Sequence, residues 1–154
     1  MREKTCCFTG HRQIPPEEEE RIKSRLESIV TSLYQRGIYY YGAGGALGFD
    51  TLAAEAVLRL RERYPALRLI LVLPCRDQAR GWRPEDVSRY EGIRSRADKT
   101  VYTSQRYARG CMHKRNRHLV DHSGVCVCYL RKEGGGTAYT VEYARARGLE
   151  LIYV

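Results

Sequence analysis

A chain of 154 residues with 43% hydrophobic content is sized for one domain with a packed core. Twenty-seven Lys and Arg against 18 Asp and Glu leave a formal charge of +9, which disfavours basic partners and favours anionic ones such as nucleotides or nucleic acid. The longest aliphatic run, Leu69 to Leu73, is far too short to cross a bilayer, and MREKTCCFTG has no apolar core of a signal peptide. A cytoplasmic protein with no membrane partner is therefore expected. Its six cysteines include the adjacent Cys6 and Cys7, and Cys126 and Cys128 alternate with valines, a pattern of reduced core thiols.

Thr5 to Thr9 form a short apolar run ending in Gly10-His11-Arg12, which predicts a buried strand entering a polar turn. Pro15-Pro16 and Glu17 to Glu20 then start a helix with acids in its positive first turn, and its apolar face is Ile22, Leu26, Ile29, Val30 and Leu33. Gly37 stops it. Ile38 to Tyr41 read as the next strand. A loop with Gly42, Gly44, Gly45 and Gly48 follows it and ends at Asp50, the expected N-cap of a second helix. Leu67 to Leu73 should be a strand buried on both faces. Pro74 to Pro84 is a polar loop in which Gln78, Arg80 and Trp82 either cover a base or anchor the loop.

A mostly polar helix is expected over Glu85 to Ala97, a short strand over Lys99 to Tyr102, and a basic amphipathic helix over Met112 to His122 with Met112, Leu119 and Val120 inward. Val125 to Leu130 form a buried strand, and after a charged turn Gly134, Gly135, Gly136 and Thr137 open a helix. Leu149 to Val154 close the chain as a strand. Strands and helices in alternation predict a parallel α/β sheet with helices on both faces and a ligand crevice at the carboxyl ends of the strands.

Three small-residue turns follow three strands and should share that edge: Thr9 to Arg12, Gly42 to Asp50, and Gly134 to Thr137. The last has the order strand, glycines, helix, which offers unpartnered first-turn amides to a phosphate, with Thr137 as cap or phosphate donor. No GxGxxG directly follows the first strand, no GxxxxGK[ST] occurs, and no third ligand accompanies the His118 and His122 pair, so neither a cofactor nor a metal is expected.

Thr9-Gly10-His11-Arg12, Gly44 to Asp50, Leu73-Pro74-Cys75, Gly110 to Arg117 and Gly134-Gly135-Gly136-Thr137 with Glu142 together resemble the YpsA or DUF1273 group of the SLOG superfamily. The resemblance spans essentially the whole chain. It implies a Rossmann-like fold related to the LOG phosphoribohydrolases and to the DNA-processing protein DprA. Residues 1–154 would form a single SLOG-like nucleotide-binding domain. Phosphates would be held by Thr9, Gly10, Gly44, Gly45, Gly135, Gly136 and Thr137, with His11, Arg12 and Arg115 supplying charge and Asp50 and Glu142 facing the sugar.

Two other functions come with the resemblance. In a LOG-like phosphoribohydrolase, Glu142 or Asp50 would support cleavage of an N-glycosidic bond, although Glu142 stands five residues after Thr137 where the LOG spacing is three. In a DprA-like protein, Arg115, Asn116 and Arg117 would belong to a basic face for single-stranded nucleic acid. Homo-oligomer formation is left open.

Overall fold

The computed structural model describes residues 1–154 as six parallel strands in the order β4-β3-β2-β1-β5-β6. These are β1 (Thr5–Gly10), β2 (Tyr40–Ala43), β3 (Arg68–Leu73), β4 (Lys99–Tyr102), β5 (Val125–Tyr129) and β6 (Glu150–Tyr153). Five helices connect them: α1 (Glu19–Gln35), α2 (Phe49–Arg61), α3 (Pro84–Arg96), α4 (Cys111–Asp121) and α5 (Gly135–Ala146). The expected Rossmann-like architecture is present, with every strand pair parallel.

Chain direction and handedness together decide which face each helix covers. From β1 to β4 the chain moves outward on one side, and right-handed crossovers lay α1, α2 and α3 on one face. It then returns to place β5 on the other side of β1, so α4 and α5 cover the opposite face. The reversal falls between β1 and β5, where open α/β sheets leave a crevice. Their register runs from Cys6 opposite Val125 to Gly10 opposite Tyr129, so both strands end at the same level and their loops leave side by side.

The two faces are not equally covered. The α1–α3 side holds the larger core, with Phe8, Leu26, Tyr41, Phe49 and Leu71 almost fully buried. The α4–α5 side holds a smaller one around Cys7, Leu119, Val120 and Cys126. On that side Val72 of β3 is buried but Ile70 stays half-buried, so the expectation of a strand buried on both faces holds for Leu69, Leu71, Val72 and Leu73 and fails at Ile70, which borders an open groove beside α4. All six cysteines are free and buried. No helix is long and apolar enough to cross a membrane.

Because adjacent strand positions point to opposite faces, truncations at neighbouring residues separate the two cores. Leu71→Ala should cost about 2–5 kcal/mol in urea unfolding, the usual range for a fully buried leucine. Ile70→Ala should cost clearly less, and equal losses would contradict the asymmetry.

Candidate functional site

At the carboxyl edge of the sheet the loop after β1 rests on the start of α2. Phe49 N–H donates to the His11 carbonyl at 3.1 Å. Gly48 has φ 78°, and a Cβ there would run into the Arg12 carbonyl, so only glycine lets the loop settle so low. The loop after β5 is tied to the first: Arg131 N–H donates to His11 Nε2 at 2.8 Å. The Arg131 guanidinium lies 4.7 Å from the Tyr129 ring centroid and 3.4 Å from Glu18. With the first turns of α4 and α5, these loops bound a cleft of about 800 Å³.

Two buried charged side chains form its inner wall. Arg115 is only 4% exposed and Asp50 7%. Arg115 Nη1 donates to the Gly44 carbonyl, and its Nε donates to Asn116 Oδ1 at 2.7 Å. Asp50 Oδ2 accepts from Ala46 N–H at 3.2 Å. A Cβ on Gly44 would come within 2.6 Å of Arg115 Nη1 and 2.8 Å of Asp50 Oδ2, so the missing side chain is what admits both groups. Burial pushes the Asp50 carboxyl above its ordinary range against the pull of Arg115, the Ala46 amide and Arg12. Burial likewise lowers the Arg115 pKa, opposed by Asp50. Arg12 and Arg115 each direct an Nη2 at the Met112 sulfur, at 3.7 and 3.8 Å.

Opposite this wall, α5 begins after Gly134 with no side chain capping its first-turn amides. A Cβ on Gly134, Gly135 or Gly136 would meet no atom within 4 Å, so the space in front of the helix start is open. The positive end of the helix dipole thus faces the cleft together with Arg12, Arg115, Arg131 and Lys132. The cleft acids are Asp50 and Glu18, and Glu18 is already engaged by Arg21 and Arg131. The arrangement suits an anion with hydrogen-bond acceptors.

Of the residues expected at a site, Thr9, Gly10, His11, Arg12, Asp50, Arg115, Asn116, Gly135, Gly136 and Thr137 come together on this cleft. Gly44 and Gly45 do not. Gly44 is buried beneath Arg115, and the carbonyls of both glycines accept from Gln78 Nε2 at 3.5 and 3.3 Å, so they brace the wall instead of cradling a phosphate. Glu142 is also elsewhere. Its side chain is 71% exposed and paired with Arg145, because position 142 falls on the outer face of α5.

Asp50 is not the N-cap, which is Gly48; it sits one residue inside α2 and reaches back to Ala46. Thr137 is likewise inside α5, whose N-cap is Gly134. In α4 Leu119 and Val120 are buried as expected, whereas Met112 lines the cleft and Cys111 and Arg115 take the other buried positions. Sequence reasoning passed over Arg131 and Lys132 as a charged turn. Their signal was position, directly after a buried strand at the edge where ligands bind.

The YpsA family model, described as the YspA SLOG family, matches residues 7–151. A UPF0398 protein of Bacillus pumilus is 31% identical over 126 residues, covering 80% of this chain and 68% of that protein. Among solved structures, DNA processing protein A from Helicobacter pylori, described for its single-stranded DNA binding mode, superposes with a TM-score of 0.68 at 17% identity over 97% of this chain. The DNA processing protein A of Streptococcus pneumoniae gives 0.69 at 14% identity over 98%. This chain spans 64% and 50% of those two proteins, and the likeness is one of fold.

Partial burial and the charges of Lys132 and Arg131 hold His11 below its ordinary pKa of 6.5. The folded protein therefore prefers neutral His11, whose Nε2 accepts from Arg131. Its stabilising contribution is present above pH 6.5 and is lost as pH falls through the lowered value. Thermal unfolding from pH 7.5 to 5 should show this decline, flattened in His11→Gln; identical profiles would contradict it. Arg115→Met removes a donor from the Gly44 carbonyl and the buried cation that pulls the Asp50 pKa down, and should cost about 1–3 kcal/mol near neutrality. Asp50 titrates at 3.8 when unfolded and higher in the fold, so the deficit of the variant should shrink toward acid pH, where Asp50 is protonated.

Proposed function

The chain belongs to the YspA SLOG family, and from that premise we propose that residues 1–154 act as one unit that binds a nucleotide or nucleotide-derived small molecule through its phosphate. One observation carries this reading. The uncapped start of α5 and four cations from three separate segments meet at the β1–β5 reversal, with an open space in front of the glycines. Arg12 and Arg131 are exposed and supply forked donors to phosphate oxygens, while buried Arg115 and Asp50 form a fixed wall whose remaining acceptor capacity suits a sugar hydroxyl. Sensing or carriage of the ligand needs no further group. The free thiols fit a reducing compartment such as the cytoplasm.

Hydrolysis of an N-glycosidic bond by Glu142 draws no support from its position outside the cleft. A second reading has a surface behind it. On the outer side of α4 and α5, Tyr139 is 41% exposed, packs edge-on to His113 at 4.3 Å and accepts from Arg117 Nη1 at 3.2 Å. Aromatic rings interleaved with cations suit single-stranded nucleic acid, the partner named for the Helicobacter pylori protein.

A thermal-shift panel of AMP, ADP, ADP-ribose and pyrophosphate separates these readings. Ligand at 100 times its Kd adds about 2.7 kcal/mol to stability, a readily visible shift. Arg12→Ala with Arg131→Ala should weaken binding at least tenfold, whereas Glu142→Gln should leave it unchanged. No shift with any ligand overturns the proposal. Steeply salt-dependent oligonucleotide binding lost in Arg117→Ala with Tyr139→Ala would favour the second reading.

A further inference from the structure

The cleft accounts for an anion but offers little ring surface on which a base could stack. Phe8 and Tyr129 are each only 1% exposed, Arg131 covers Tyr129, and the small His11 imidazole is packed edge-on to Tyr129 with its Nε2 taken by Arg131 N–H. A second recess of about 260 Å³ adjoins it across the β1–α1 loop. That volume lies just below the range of about 300–1,000 Å³ usual for whole-ligand pockets, so it fits part of a ligand. Arg12 borders both spaces. Its backbone rests against Gly48 on the recess side, and its guanidinium reaches Met112 Sδ on the cleft side. The α2 approach is shared in the same way, with Ala46 lining the cleft and Leu47 the recess.

The recess has the chemistry the cleft lacks. Leu47, Trp82 and Tyr90 provide apolar walls, with the Trp82 and Tyr90 rings edge-to-face at 5.3 Å. Asp86 adds an acceptor; its one cationic contact is Arg83 at 3.7 Å, which leaves lone pairs free. Arg89 also borders the recess, but Glu55 holds its guanidinium through two hydrogen bonds of 2.7 and 2.6 Å. An acceptor without a free cation selects a ring edge that donates. Carbonyl-rich edges would be repelled by the carboxylate.

We infer that this recess is the base subsite of the cleft and takes an amino-bearing purine whose phosphates lie at the start of α5, with Arg12 between the two parts. The assignment rests on the phosphate reading of the cleft, so the probes must separate the two. Trp82 is the only tryptophan of the chain and reports directly on the recess.

Titration with ADP should change Trp82 fluorescence and bind at least tenfold more tightly than UDP, while pyrophosphate should bind by calorimetry with no change in fluorescence. A base-to-ring stack is worth about tenfold or more in affinity, so Trp82→Leu should lose that factor for ADP and none for pyrophosphate. Asp86→Asn, a near-isosteric change in the first turn of α3, should narrow the preference for ADP over UDP and keeps the test open if the tryptophan variant folds poorly. Pyrophosphate binding with ADP silent in fluorescence, or ADP binding Trp82→Leu as tightly as the parent, overturns the base subsite and leaves the phosphate cleft standing. Failure of both ligands to bind overturns both.

Discussion

Parallel pairing of β1 with β5 is the constraint on which the site depends. These strands come from opposite ends of the chain, and the sheet grows away from them in both directions. Loops following neighbouring strands in a continuous progression turn to the same face. At the reversal they turn to opposite faces, and the gap between them is not filled by a connecting helix. The shared level of Gly10 and Tyr129 makes both loops border that gap, and the bond from Arg131 N–H to His11 holds them in fixed relation.

Charge placement follows from the same geometry. α5 must begin where β5 ends, so its positive terminus is delivered to the gap by topology alone. α4 crosses back over the sheet and brings Arg115 down onto Gly44. Burying a guanidinium is costly, and the fold offsets that cost with the Gly44 carbonyl, the Asn116 side chain and the nearby Asp50. Arg12, Arg131 and Lys132 are exposed, with Arg131 held only by Glu18 and the Tyr129 ring at the surface. An anion entering the cleft therefore meets one rigid wall, whose ordering is already complete, and several adaptable donors that order as it binds.

Periodicity made the architecture legible: the apolar stripe of Ile22, Leu26, Ile29, Val30 and Leu33 is buried as expected, and Val125 to Tyr129 is a fully buried strand beside β1. The local order of residues in Gly134 to Thr137 also located the helix start facing the cleft. What sequence could not deliver were relations set by tertiary packing. Gly44 resembles a ligand-binding glycine until α4 places Arg115 against it. Asp50 has the composition of a helix cap, yet Gly48 takes that position and frees the carboxylate to turn back. Glu142 was misread because its distance from the glycines said little about its face. In the helix that residue points away from the sheet edge.

Fold likeness extends to proteins only 14% and 17% identical to this chain, and a shared sheet leaves the ligand to be set by the arrangement of the loops. The central claim is that an anion is held by the amides opening α5 between the loops of β1 and β5. Amide NMR during titration with pyrophosphate and with ADP tests it most directly. The account predicts saturable shifts at Gly135, Gly136 and Thr137 together with His11 and Arg131. Saturable binding that leaves those five amides unmoved and perturbs the outer surface around Tyr139 would contradict it.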